Sequence, residues 1–162
     1  MKEWSIVTKP SYRSVGLKWE GTFQEIPSLK RVIEDMKGRA YELEYKINPS
    51  VQLGLSYHTV EDGFAHYSVF EVSDEQEVPV GMVELQVPEW SYMYTAHHKG
   101  DDVVQTYNYL HNWLAESDYE VLKEEGCTYY DPHMPIKHEY YPIDQDPNDP
   151  HFDIFIPVVK KS

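Results

Sequence analysis

Two stretches of this chain run through the same order of features, and that repetition limits the fold more than any other property. YRSVGLKWEGTFQEIPSLKRVIEDMKG passes from a strand-like segment through a glycine into a helix-like one. WSYMYTAHHKGDDVVQTYNYLHNWLAESD does the same in the second half, with Gly21 and Gly100 at equivalent points and the second connecting loop shorter by two residues. In the first helix Ile26, Leu29, Val32, Ile33 and Met36 fall on one face, Pro27 suits the first turn, and Gly38 suits the stop. In the second, Val103, Val104, Tyr107, Leu110, His111 and Leu114 share a face, and Asp101 or Asp102 can cap the start.

Strand candidates flank both helices. Val51, Leu53, Leu55 and Tyr57 alternate with Gln52, Gly54, Ser56 and His58; Val83, Leu85 and Val87 alternate with Glu84 and Gln86; and Phe152, Ile154 and Ile156 alternate with Asp153 and Phe155. Each half closes on a strand of similar character, FAHYSVFEV and HFDIFIPVV. DEQEVPVG, from Asp74 to Gly81, reads as the linker between halves, and YPIDQDPNDPHFD as a polar, proline-rich loop before the last strand. The expected fold class is α+β: a duplicated strand–helix–strand–strand module, about eight strands in a mostly antiparallel sheet, with two main helices on one face. One domain over residues 1–162 is expected, with internal halves of about 1–75 and 80–160. The junction of two such halves forms a crevice, and crevices there are preferred ligand sites.

With 41% hydrophobic residues, 162 residues suffice for one filled domain. The formal net charge of −14 argues against direct binding to nucleic acid, which needs clustered Lys and Arg to displace counterions. It would draw in cationic partners. Cys127 is the only cysteine, so no intrachain disulfide can form. MKEWSIVTKPSY lacks the apolar core of an export signal, and no run approaches the ~18 apolar residues of a membrane span. A cytoplasmic location without membrane contact is therefore expected. Fourteen tyrosines and four tryptophans supply apolar bodies with polar edges, which suit cores, interfaces and ligand cavities alike.

The stretch HEYYPID sets one carboxylate among tyrosines. If residues 137–141 are extended, Lys137, Glu139 and Tyr141 lie on one face, with His138 and Tyr140 on the other. Glu139 then either points into water or lies among rings. In the second arrangement it attracts lipophilic cations by charge and through the ring faces, and its desolvation stays uncompensated until a cation arrives. His97 with His98, and the set His133, His138, Glu139 and His151, lack the spacing of a metal motif, so neither a metal nor a cofactor is expected. Cys127 has acidic neighbours, which disfavour a thiolate nucleophile. No GxSxG, phosphate-loop or GxGxxG pattern occurs, and Glu20, Glu25, Glu124 and Glu125 form no constrained acidic pair.

Over nearly its whole length the chain resembles the GyrI-like small-molecule-binding domain, the effector-binding domain of bacterial multidrug-sensing transcription regulators. YRSVGLKWEGTFQEI is similar to that family's first strand, glycine and helix start, GLSYH to its mid-half strand, WLAESDYE to its second helix exit, and IPVVKK to its closing strand. The resemblance implies an aromatic pocket between the halves, faced in cation-binding members by an acidic residue on a late strand. HEYYPI occupies that place, which implies Glu139 as the acid and Tyr141 as its neighbour. By strand position, Tyr57, Trp90, Tyr92 and Tyr107 are implied as pocket walls. Trp113 matches the helix-exit tryptophan, with packing beneath the pocket as its expected task. Relatives within regulators carry a DNA-binding domain that this sequence lacks, so a stand-alone member is expected. KGDDVVQ is two residues shorter than the usual helix start and lacks its Gly-Pro-aromatic sequence. The implied function is binding of a hydrophobic or aromatic cation. The alternatives are a hydrolase of electrophilic cyclopropane-type toxins, with Glu139 orienting or deprotonating water, and an acidic interaction module that partners DNA gyrase or a regulator.

Overall fold

The computed structural model describes residues 4–123, 135–146 and 148–161, apart from the side chain of Val60. Glu124, Glu125, Cys127 and His133 lie outside these residues. In chain order the elements are β1 (Ser5–Lys9), β2 (Tyr12–Thr22), α1 (Ile26–Arg39), β3 (Val51–Val60), β4 (Gly63–Val72), β5 (Val83–Val87), β6 (Trp90–His97), α2 (Val103–Glu116), β7 (Tyr119–Val121), β8 (Ile136–Pro142) and β9 (Phe152–Lys160). The strands form one sheet in the order β1-β6-β9-β8-β3-β4-β2-β5, with β7 paired to the end of β9. Every pairing is antiparallel. The chain is thus an α+β fold whose sheet carries β3 and β8 side by side at its centre.

Register decides which side chains share a face. Leu17 pairs with Ser68, Ser68 with Gly54, Gly54 with Glu139, and Glu139 with Ile154, so these five point the same way across the sheet. Leu17 packs into the cluster of Met36 from α1, and Ile154 into the cluster of Leu110 and Leu114 from α2. Both helices therefore cover this one face, with Glu139 and Gly54 between them. On the opposite face Tyr12, Leu53, Leu55, Tyr57, Val69 and Val87 form a separate core.

The helices differ in detail from the sequence expectation. Gly38 does not stop α1, which runs to Arg39 and tightens into a turn over Ala40–Glu42. No Cβ would clash at Gly38, so nothing there forces a break. Pro27 sits in the first turn as expected, because its missing N–H needs no partner there. In α2, Leu110 and Leu114 are buried, but Val104 is 68% exposed and Val103 38%, while Thr106 goes inside. The two valines precede the point where the helix settles onto the sheet. Asp102 caps α2, accepting from the Gln105 amide at 3.2 Å. The paired glycines of the repeat also do different work: Gly100 takes φ +86° in the turn into α2, whereas Gly21 lies within β2 under the Trp19 ring.

Candidate functional site

Between the helices the sheet is left uncovered, and a crevice of about 580 Å³ opens there. Its floor is the β3–β8 pair, with Gln52, Gly54 and Glu139, extended by Ser68 of β4. Lys30, Ile33, Glu34 and Lys37 of α1 form one side; Val103, Phe152 and the segment after β8 form the other. Gly54 lets two rings close over the floor. A Cβ there would stand 3.1 Å from the His66 ring and 3.2 Å from the Tyr141 ring, tighter than ordinary contact, so the rings occupy the space a side chain would need.

Glu139 is held by two phenols. Tyr141, on its own strand, donates to Oε1 at 2.5 Å, and Tyr107, from α2, donates to Oε2. Both hydroxyls are pushed well above the ordinary phenol range, first by burial and then by the adjacent carboxylate, so they remain protonated donors. The Tyr141 ring packs against Phe152, with centroids 4.9 Å apart. Among the described residues no Lys or Arg comes within ion-pair distance of Glu139. Lys137 lies over the Tyr107 ring at 5.3 Å. A half-buried carboxylate with neutral donors and aromatic faces, but no ion-pair partner among the described residues, can serve as the counter-charge of a cation.

The remaining sequence-predicted wall residues do not join this crevice. Tyr57 alternates with Gly54 onto the far face, where it meets His138 Nε2 at 3.2 Å. Trp90 and Tyr92 follow it, because Met93 is the residue of β6 that packs under α2. Tyr57 and Trp90 line a second, shallower cleft of about 340 Å³ with Lys18, Glu20 and Tyr67. Tyr92 is fully buried behind it, 5.7 Å from His138 by ring centroids, and burial raises its phenol above the ordinary range. Trp113 packs beside the α2 core and stacks on Tyr119 at 6.3 Å. The far face also has its own cation: Lys9 lies over Tyr140 and Phe155 at 4.7 and 4.6 Å.

Sequence reasoning overlooked Gln52, Gly54, His66, Ser68 and Phe152. Gln52 and Gly54 sit on the polar half of the β3 alternation, which reads as a solvated face. In a central strand beneath two helices that half is interior, and Gln52, Ser56 and Ser68 are all buried. His138 and Glu139 face opposite sides of the sheet, which separates two members of the histidine set.

Fold and crevice together define an α+β ligand-binding domain. The sequence model of the GyrI-like small molecule binding domain matches residues 2–159, and the chain belongs to that family. The transcriptional regulator BrlR of Pseudomonas aeruginosa is 27% identical over 160 residues, covering 94% of this chain and 54% of the regulator, so the chain spans about half the length of that relative. Among solved structures, SAV2435 bound to tetraphenylphosphonium superposes with TM-score 0.67 at 14% identity, covering 97% of this chain and 94% of the other. The C-terminal domain of EcmrR gives 0.67 at 16%, with 99% of both chains covered. A hydrolase encoded by lin2189 from Listeria innocua gives 0.61 at 10%, covering 97% and 92%.

Proposed function

We propose that this domain binds a hydrophobic, aromatic cation in the crevice between its helices, with Glu139 as the counter-charge, Tyr141 and Phe152 as aromatic contacts, and Tyr107 holding the carboxylate from α2. The observation that carries this reading is the Glu139 carboxylate, fixed by two tyrosine hydroxyls and facing a 580 Å³ crevice without an ion-pair partner among the described residues. Holding a charge away from bulk water is unfavourable unless it is compensated, and a cation compensates it while its apolar body leaves water. The tetraphenylphosphonium bound to SAV2435 supports the same class of ligand for this fold. In a regulator such as BrlR a domain of this kind would serve as the sensing half.

The test is calorimetric titration with tetraphenylphosphonium and with a rhodamine dye, on wild type and Glu139→Gln. A single saturable site weakened about 10- to 100-fold in the variant is expected, the 1.5–3 kcal/mol scale of a contact to a charged group. Equal affinity in the two proteins would remove Glu139 from the site. A second reading, hydrolysis of an electrophile, draws on the same carboxylate, which with two phenolic donors beside it could orient water. Turnover separates the readings: a binding protein stops at one equivalent, whereas an enzyme consumes its ligand.

A further inference from the structure

The crevice contains a second polar anchor. His66, on β4, lines the crevice and is only 6% exposed, and its Nε2 is buried with no hydrogen-bond partner among the described residues. Its other nitrogen, Nδ1, lies 2.9 Å from Ser56 Oγ. Either tautomer fits that contact, and the two differ in what they leave unpaired. If Nδ1–H donated, the buried Ser56 hydroxyl proton and the Nε2 lone pair would both lack partners among the described residues; with the Ser56 hydroxyl donating to Nδ1, only Nε2 does. A neutral imidazole that accepts at Nδ1 carries its proton on Nε2. Burial holds the ring neutral, with its pKa lowered to about 4. In the second arrangement, the one that leaves fewer groups unpaired, Nε2–H is a donor without an acceptor beside Gly54, whose missing Cβ would stand 3.4 Å from it.

Unpaired buried donors of this kind are uncommon, because losing water without gaining a partner is costly. Here the vacancy adjoins a ligand crevice. We infer that His66 is a specificity-determining residue, donating from Nε2 to a hydrogen-bond acceptor on the bound molecule, so that the preferred ligand is an aromatic cation that also carries a carbonyl or ether oxygen. This rests on the cation reading above. The two anchors stand on β4 and β8, the strands either side of β3, and the His66 ring reaches over Gly54, the register partner of Glu139. Glu139 then reads charge, and His66 reads a single oxygen at the opposite end.

The test uses two cations that differ by one oxygen: (4-benzoylbenzyl)trimethylammonium, a ketone, and (4-benzylbenzyl)trimethylammonium, its methylene analogue. Wild type is expected to bind the ketone about five- to tenfold more tightly, the range of one neutral hydrogen bond. His66→Phe should bring the ratio of the two affinities to about one, and His66→Gln, whose amide can donate, should restore part of it. Glu139→Gln should weaken both ligands equally and keep the ratio. Binding of both cations at equal affinity, or a ratio unchanged in His66→Phe, overturns the inference and leaves the cation reading standing; binding of neither overturns both. Long-range proton–nitrogen NMR of the ligand-free wild type is an independent check that needs no variant to fold. A proton on Nε2 supports the assignment, and one on Nδ1 overturns it.

Discussion

Glu139 sits between two phenols that differ in how they are held. Tyr141 is on the same strand, and its ring is packed on Phe152, so its position survives loss of the hydroxyl; Tyr107 reaches in from α2 and ties that helix to the sheet. Tyr141→Phe should therefore lower stability by about 1–2 kcal/mol, the loss of one hydrogen bond to a charged group in a half-buried setting, while cation affinity stays within about threefold of wild type. Urea unfolding together with the same calorimetric titration would check both halves of that expectation. Glu139→Gln should behave in the reverse way, with a small change in stability and a large one in affinity. The residue identities at this site were partly legible. Tyrosines around an isolated glutamate in a strand indicate a charge held among rings, and simple alternation puts Glu139 and Tyr141 on one side. The side that Tyr57, Trp90 and Tyr92 occupy was not legible, because it depends on which residue of each neighbouring strand stands opposite, and a one-residue shift reverses it.

At the scale of elements, α2 places Tyr107 only if its first turn is fixed. Asp102 does this by accepting from the Gln105 amide, and its own carbonyl accepts from Thr106 at 3.0 Å. Asp102→Ala is expected to cost about 1 kcal/mol in urea unfolding, the usual value of an N-cap, and to weaken cation binding modestly through Tyr107. The strands offer a sharper case. At Gly16, a Cβ would come within 2.2 Å of the Ser68 carbonyl oxygen and 2.7 Å of the Val69 Cα, both backbone atoms that cannot step aside. Gly16→Ala should destabilise by about 1–3 kcal/mol through displaced β2–β4 pairing, measurable as a lower urea midpoint with unchanged slope. Helix existence was readable from spacing, and the cap was narrowed to Asp101 or Asp102, of which the fold uses Asp102. The end of α1 was not, because glycine permits a stop without requiring one, and the packing of Met36 and Leu43 carries the chain past Gly38.

For the molecule as a whole, burial of histidines on both faces of the sheet makes stability depend on pH. His66 beneath the helices is held at about 4 and His138 on the far face at about 3, each lowered from 6.5 chiefly by burial. Both values are depressed, so the folded protein keeps these rings neutral while the unfolded chain takes up protons first. Their contribution is intact above about 6.5 and is lost as the pH falls towards the folded values. Between pH 7 and 5.5 each ring should remove roughly 1 kcal/mol of unfolding free energy. His138→Asn should flatten the slope by that amount in urea titrations at the two pH values, even though the variant starts less stable. An unchanged slope would mean that the ring is already charged or open to water. Among the described residues no helix is long and apolar enough to cross a membrane.

The order strand–helix–strand–strand, stated twice, came from sequence alone, because hydrophobic periodicity and turn residues are local properties that a chain carries before it folds. So did the presence of one carboxylate in an aromatic strand. The meeting of β3 with β8 at the centre of the sheet was decided only by tertiary structure. That pairing sets Glu139 opposite Gly54, turns the polar half of β3 inward, brings the His66 and Tyr141 rings together over Gly54, and sends Tyr57, Trp90 and Tyr92 to the other side. The physical reason is that register between strands distant in sequence is set by the packing of whole faces against two helices, and no local pattern records it.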